Sequence, residues 1–397
     1  MLKKILSFFL LVFLFFLSSC SGRSPKTTTF DSIDISKYFA VAYIADVETE
    51  KSINASGNII FMKKDGTYDA VSIKAFKDAS IVWSEKGIFY SDVEKEYFLP
   101  FVGKNKSVTL KKDASRADRL SLFYRDMYIT AFNKGVEGDS YGYEILAYNE
   151  NIMKTFTVAY YLRSVLVECD NKVVAIGKKL NSDTDELLSF DVEKGSALPL
   201  HVTPQKVKGL PEEANLVSDI YSTCVHNRYY VSLATPDSDV EGQEVSDASS
   251  VLGMDIWDMK QGERTFIRLK NEDDIYVSDF LSGAIYSVDD MHINWVCGDG
   301  TLARTNIHTG ATSFRGDKIE EIVADSPIRY MWFRSYVARG LIYSFVFDYQ
   351  GKDDPYMRVV DERTGKEVER ITMKDLKNYF ISGNFPSDFA LNPLWNG

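Results

Sequence analysis

The chain has 397 residues, of which 45% are hydrophobic and 26% charged, and its formal net charge is -11. That acidic balance repels nucleic acid and anionic lipid headgroups, and no basic stripe offsets it, so neither is expected as an electrostatic partner. The 25 Phe and 23 Tyr residues suit strands rather than helices.

The chain opens with the three parts of an export signal. Lys3 and Lys4 come first, then Ile5 to Leu17, apolar except for Ser7. This run is too short to cross a bilayer core, which takes about 20 residues, and matches the apolar region of a signal peptide. Leu17-Ser18-Ser19-Cys20 follows. It resembles the lipobox of bacterial lipoproteins, with an aliphatic residue three before the cysteine and small residues between. The resemblance implies a signal peptide over residues 1–19, cleavage before Cys20 and a diacylglyceryl group on its thiol. Acyl chains then hold the protein to a membrane, each buried CH₂ contributing about 0.8 kcal/mol. Residues 20–29 are the lipidated cysteine and a small, polar tether, SGRSPKTTT from Ser21 to Thr29. The expected location is the cell envelope: the outer membrane of a Gram-negative cell, where Ser21 resembles residues that permit transfer, or the outer face of a Gram-positive cell membrane.

Residues 30–397 are expected to form a single all-β domain. Helical periodicity is scarce, and only Pro211 to Ser218 and Met373 to Tyr379 suit short helices. Elsewhere short apolar-aromatic runs alternate with Asp, Asn, Gly and Lys, as strands joined by turns do. The runs recur in groups of four. Phe39 to Ile73 and Ser80 to Leu110 are the weaker units; Arg119 to Tyr160, Ser164 to Val202, Asp219 to Leu269, Ala284 to Phe314 and Ile328 to Ile371 are the stronger ones. The last turn of each strong unit falls near Glu150, Lys194, Gln261, Thr309 and Thr364. The polar stretch Thr235 to Ser250 reads as an insertion that lengthens one interval.

Four strands every ~40–50 residues is the period of β-propeller blades, which stack because one blade cannot bury both faces alone. The expectation is a β-propeller of about seven four-stranded blades, with six or eight as neighbouring counts. Tandem β-sandwiches are the alternative. Tyr379 to Phe389 would close the ring. VVDERTGKEVERI (from Val359) and TNIHTGATSF (from Thr305) resemble the outer hairpin of quinoprotein-like and YVTN-like propellers, in which Asp or Asn precedes Thr-Gly. Trp257-Asp258 occurs once, without a Gly-His partner, and reads as a packing tryptophan rather than a WD repeat.

Little chemistry stands out. Cys169, Cys224 and Cys297 lie in apolar runs and read as buried structural thiols, with one disulfide plus a free thiol as the alternative. His201, His226, His292 and His308 are scattered among different units, which suits no zinc site. Asp237-Ser-Asp239-Val-Glu241-Gly242 begins like a calcium loop but has Ala248 where the bidentate Glu belongs. That stretch and Asn181-Ser-Asp183-Thr-Asp185 read as solvated acidic loops. Asp273-Asp274, Asp289-Asp290 and Asp353-Asp354 are adjacent pairs, whose side chains diverge on a strand. Tyr141, Tyr143, Trp295, Trp332 and Trp395 are candidates for stacking, with packing between blades the default. No catalytic, cofactor-binding or metal-ligating residue emerges, and Cys20 is the one site that the sequence names.

The expected function is therefore a lipid-anchored, non-catalytic binding or scaffold platform. Its partners would be the membrane, through lipid on Cys20, and an envelope protein or glycan; Thr235 to Ser250 is the loop most suspected of contact. The alternative is a glycan- or peptide-processing enzyme with an acid and a base in the central funnel.

Overall fold

The computed structural model describes residues 27–46, 56–75, 80–92, 95–103, 105–109, 119–137, 140–149, 152–182, 184–202, 207–210, 216–236, 251, 253–271, 284–319, 329–348, 353–380 and 384–395. Cys20, Asp237 to Glu241, Asp273-Asp274 and the side chain of Trp332 lie outside this set.

Period-2 side-chain alternation explains the architecture. In Ala40–Asp46 and Gly57–Met62 nearly every residue is apolar and buried. Ala40, Ala42, Ile44, Ile60 and Met62 enter one core cluster, and Val41, Tyr43, Ala45, Ile59 and Phe61 enter another. A strand covered on both faces by neighbouring sheets reads as a continuous apolar run, whereas one with a wet face alternates. The outer strand Ser196–Val202 shows the contrast, with Leu198 63% exposed.

The strands form seven sheets, all antiparallel apart from one added strand. Blade 1 takes its second to fourth strands from Ala40–Asp46, Gly57–Met62 and Tyr68–Ile73. Blade 2 is Val82–Ser84, Gly87–Ser91, Lys95–Pro100 and Lys106–Thr109; blade 3 is Arg119–Tyr124, Met127–Glu137, Ser140–Tyr148 and Met153–Val158. In blade 4 a first strand broken into Tyr161–Leu162 and Val167–Cys169 precedes Lys172–Lys178, Asp185–Asp191 and Ser196–Val202. Blade 5 is Leu216–Val225, Tyr229–Pro236, Gly253–Asp258 and Glu263–Arg268. Blade 6 is Ala284–Val288, His292–Val296, Leu302–Asn306 and Thr312–Arg315. Blade 7 is Arg329–Ala338, Leu341–Asp348, Tyr356–Asp361 and Glu367–Thr372. First strands of successive blades approach one another, which sets them around the axis. The seven sheets give the blade count, and the tandem-sandwich alternative falls because no two sheets share a private core. Each seam between adjacent blades has its own cluster instead.

The ring closes where expected. Asn384–Leu391 pairs antiparallel with Ala40–Asp46, from Ala40 opposite Leu391 to Asp46 opposite Asn384. It thereby supplies the first strand of blade 1. Asn392 fastens the junction by donating its side-chain amide to the Tyr38 carbonyl at 2.9 Å. Met373 to Tyr379 contains a short 3-10 helix, Leu376–Tyr379. Within Pro211 to Ser218, residues 216–218 belong to a strand rather than a helix, and the rest lies outside the described residues.

Two features differ from the sequence reading. Cys169 and Cys224 form a disulfide, and Cys297 is free and buried, so the alternative holds rather than three thiols. The bond joins the first strands of blades 4 and 5, each cysteine lying just before its strand's turn. Second, Thr27–Thr28, at the end of the expected tether, adds a parallel strand outside Tyr68–Ile73, with Thr27 opposite Ala70 and Thr28 opposite Val71.

Candidate binding face and cleft

In an up-and-down blade, turns between strands one and two and between three and four share one face of the disc. Connections between strands two and three, and from strand four to the next blade, share the other. The first is called here the turn face and the second the loop face.

The turn face is built from tight, locally satisfied turns. Arg125-Asp126, Asp170-Asn171 and Arg339-Gly340 each have positive φ at both residues, the geometry that matches the twist of a hairpin. The turns between strands three and four repeat a side-chain cap. Asp191 accepts from the Lys194 amide, Asp258 from Lys260 and Gln261, Asn306 from His308 and Thr309, and Asp361 from Thr364. The glycine that ends each turn then returns its N–H to the carbonyl of the first residue, at 2.8 to 2.9 Å. These capped turns contain the Asp/Asn-to-Gly pattern quoted from the sequence. They also explain the lowered pKa of Asp191 and Asp361, since hydrogen bonds from the turn favour the ionised carboxylate. At Asp289, burial pushes the pKa up but is outweighed by donors from Met291 and His292 and by the Arg304 charge, which hold it at about 2. Asp289 thus caps a turn, and Arg304 pairs with it at 2.6 Å.

The loop face carries the long connections: Asp46 to Gly57, Val202 to Leu216, Pro236 to Gly253, Arg268 to Ala284 and Arg315 to Arg329. The suspected stretch Thr235 to Ser250 belongs to this face through its flanking strands; residues 237–250 lie outside the described set.

A cleft of about 420 Å³ opens on the same face of blade 7. Asp348 ends the second strand, Tyr356 begins the third, and Lys377 comes from the 3-10 helix after the fourth. Phe347 and Tyr356 give it an apolar wall, and Asp348, Asp353, Asp354 and Lys377 its polar mouth. The loop is held by the Asp353 amide donating to Asp348 Oδ2 at 3.3 Å and the Lys377 amide donating to Asp354 Oδ1 at 3.4 Å. Three carboxylates against one ammonium suit a hydroxyl- or amine-bearing group. Asp353-Asp354 is expected from sequence to diverge as a pair on a strand. The pair is instead in a loop, where the rule of alternation does not apply.

Other candidates are absorbed by packing. Trp257 is fully buried, donating Nε1 to Asp255 at 3.1 Å with the Arg264 guanidinium over its ring, as a packing tryptophan should. Trp295 is fully buried and donates to Thr305 at 3.0 Å. Tyr143 is buried, Tyr141 packs edge-on against Tyr161, and Trp395 packs near Phe39. Asp185 corrects the reading of Asn181 to Asp185 as a solvated loop: it is mostly buried between Arg163 and Arg264, at 2.9 and 3.0 Å. Burial alone would lower the Arg264 pKa, but Asp255 and Asp185 hold it above its ordinary value. The Arg264–Asp185 pair crosses the seam between blades 4 and 5. His201 faces Trp257 across that seam, and burial followed by the Arg264 charge lowers its pKa. On the ring-closing strand, Asp388 accepts the Ile81 amide at 2.9 Å and so ties blade 1 to blade 2. Among the described residues no group of three or more His, Cys, Asp or Glu side chains is placed to hold a metal ion.

Comparison with solved structures finds matches at low identity. Moraxella catarrhalis BamB is 13% identical, with 76% of this chain and 75% of that chain covered and a TM-score of 0.39. Apo AztD from Citrobacter koseri is 11% identical, with 88% and 97% covered and a TM-score of 0.43. A puromycin hydrolase mutant complexed with PGG is also 11% identical, with 85% of this chain but 52% of that one covered and a TM-score of 0.46. No curated protein sequence matches the chain. A family model does, over residues 35–391, and on that match the chain belongs to the YycP beta-propeller domain family.

Proposed function

We propose that this protein is exported, anchored to the cell envelope by lipid on Cys20, and acts as a non-catalytic platform that binds an envelope protein or glycan on its loop face. The asymmetry of the two faces carries the reading. One face is used up in turns that satisfy themselves, while the other combines long connections with the polar cleft of blade 7. Binding residues concentrate on loops held by a rigid scaffold. The Cys169–Cys224 disulfide supports export, since such bonds persist in oxidising compartments. Leu17-Ser18-Ser19-Cys20 supports the anchor.

Mild crosslinking of the tagged, lipidated protein in its own envelope, followed by purification and mass spectrometry, tests the proposal. A partner recovered in near-equal amount, and lost in a Cys20→Ala form, is the expected result. Catalytic turnover of an envelope substrate by the purified domain would overturn the platform reading. A mature chain that retains residues 1–19, or has an unmodified Cys20, would overturn the anchor.

A further inference from the structure

The direction in which the chain enters the propeller sets its attitude on the membrane. Thr27–Thr28 runs parallel to the outermost strand of blade 1, Tyr68–Ile73. That outer strand starts at the turn following Met62, on the turn face, where the Lys63 amide donates to the Thr67 carbonyl. The parallel pair Thr27–Thr28 therefore runs away from the turn face, with its N-terminal end directed toward that face. The stretch from Cys20 to Thr27 can reach at most about 25 Å when fully extended. The rim of blade 1 thus lies within that distance of any lipid carried by Cys20.

We infer that the turn face beside blade 1 is turned toward the lipid bilayer and that the loop face, with the blade 7 cleft, points away from it. This rests on the Cys20 anchor proposed above. The turn face also carries Val102, 89% exposed, together with the exposed Ile152, Met153, Met291, Val337 and Leu394. Each lies in or beside a turn of that face. Scattered apolar side chains are ordinary on a protein surface. Others lie on the loop face, among them Val136, Leu180 and Val202, so the direction of the entry strand carries the orientation. The acidic net charge makes neutral lipid the suitable surface, with acyl chains rather than headgroup charge holding the protein.

The test uses the full lipidated protein in phosphatidylcholine vesicles carrying a headgroup nitroxide quencher. A small fluorophore is attached through a bioorthogonal residue at Val102 or Met291 on the turn face, or at Val136 or Leu180 on the loop face. All four are exposed, so labelling spares the core. Quenching severalfold stronger at Val102 and Met291 is expected, and a long Gly-Ser spacer inserted after Lys26 should erase the difference. Equal quenching, or stronger quenching at Val136 and Leu180, would overturn the inference while leaving the anchor intact. Failure to bind vesicles, with an unmodified Cys20 by mass spectrometry, would remove the anchor and the inference together.

Discussion

The turn face and the loop face are made from the same strands, yet they solve different problems. On the turn face every connection is short, and the groups that satisfy it are mostly its own neighbours in sequence. The loop face carries all the long connections, beside short ones such as Ser91 to Lys95 and Val158 to Tyr161, and the cleft draws on separate elements of blade 7. Local satisfaction leaves little for a partner to complete; a surface assembled from separate elements leaves more. The contrast also predicts where stability and function separate, because the turn face is bonded to the seams between blades.

The largest effect should come from Gly365→Ala. A Cβ there would come within 2.4 Å of the Gly316 Cα, backbone against backbone between blades 6 and 7, at a φ of 73°. Left-handed strain and overpacking together should cost about 3 kcal/mol or more, read as a lowered urea midpoint. Gly340→Ala shares the positive φ of 74° but meets nothing within 4 Å, so it should cost about 1 kcal/mol. Equal losses would show that the turn face is held by backbone preference and not by contact between blades.

Next is the disulfide, which closes a separation of 55 residues beside two turns of this face. Cys224→Ser, or reduction, should lower stability by about 2–4 kcal/mol. An unchanged melting temperature under reductant would place the strength of that seam in the Arg264 pairs and Trp257 packing instead.

Acid sharpens the comparison further. Asp191, Asp289 and Asp361 have lowered pKa values in the folded state. Their stabilisation is present above the unfolded value, about 3.9, and is lost as pH falls through the folded values. Melting temperature should therefore drop between about pH 4 and pH 2. The drop should be shallower in an Asp191→Asn, Asp289→Asn, Asp361→Asn triple variant, whose stability at neutral pH is already reduced. An unchanged acid slope would remove these caps from the explanation.

The smallest effect belongs to the loop face. Halving the connection between Pro236 and Gly253 with a Gly-Ser linker should change stability by only about 0.6 kcal/mol through loop closure. Differential scanning calorimetry of this variant beside Gly365→Ala would set the two faces on one scale. A loss as large as that of Gly365→Ala would break the contrast between them.

Much of this was legible in the sequence because it depends on short range. The Asp/Asn-to-Gly turns announce themselves within a few residues, and the runs of Ala40–Asp46 and Gly57–Met62 show that both strand faces are buried. Closure through Tyr379 to Phe389 was expected because rings usually close by pairing terminal strands, and Asn384–Leu391 does so. What escaped depends on contacts between blades. Nothing near Cys169 or Cys224 indicates that each lies at the same level of adjacent first strands. Asp185 looked like a solvated loop because Arg264, its partner, is on the next blade. The blade 7 cleft is not legible because Asp353-Asp354 lies in a loop rather than a strand, and Lys377 comes from beyond the fourth strand. The two-residue entry strand is too short for any periodicity to reveal.

Ring closure by Asn384–Leu391 has a temporal consequence. Blade 1 cannot be completed until the other six have been made, because its innermost strand follows all of them in the chain. Its second to fourth strands, made first, must wait beside an open edge while six further blades form. Non-local pairing of this kind is slow, since the chain between must be ordered before the pair is rewarded. A chain cut short near its C-terminus would be left with an unpaired edge on Ala40–Asp46, a template for pairing with another chain. The ring-closing strand thus acts as a check: only a chain that reaches Leu391 hides that edge.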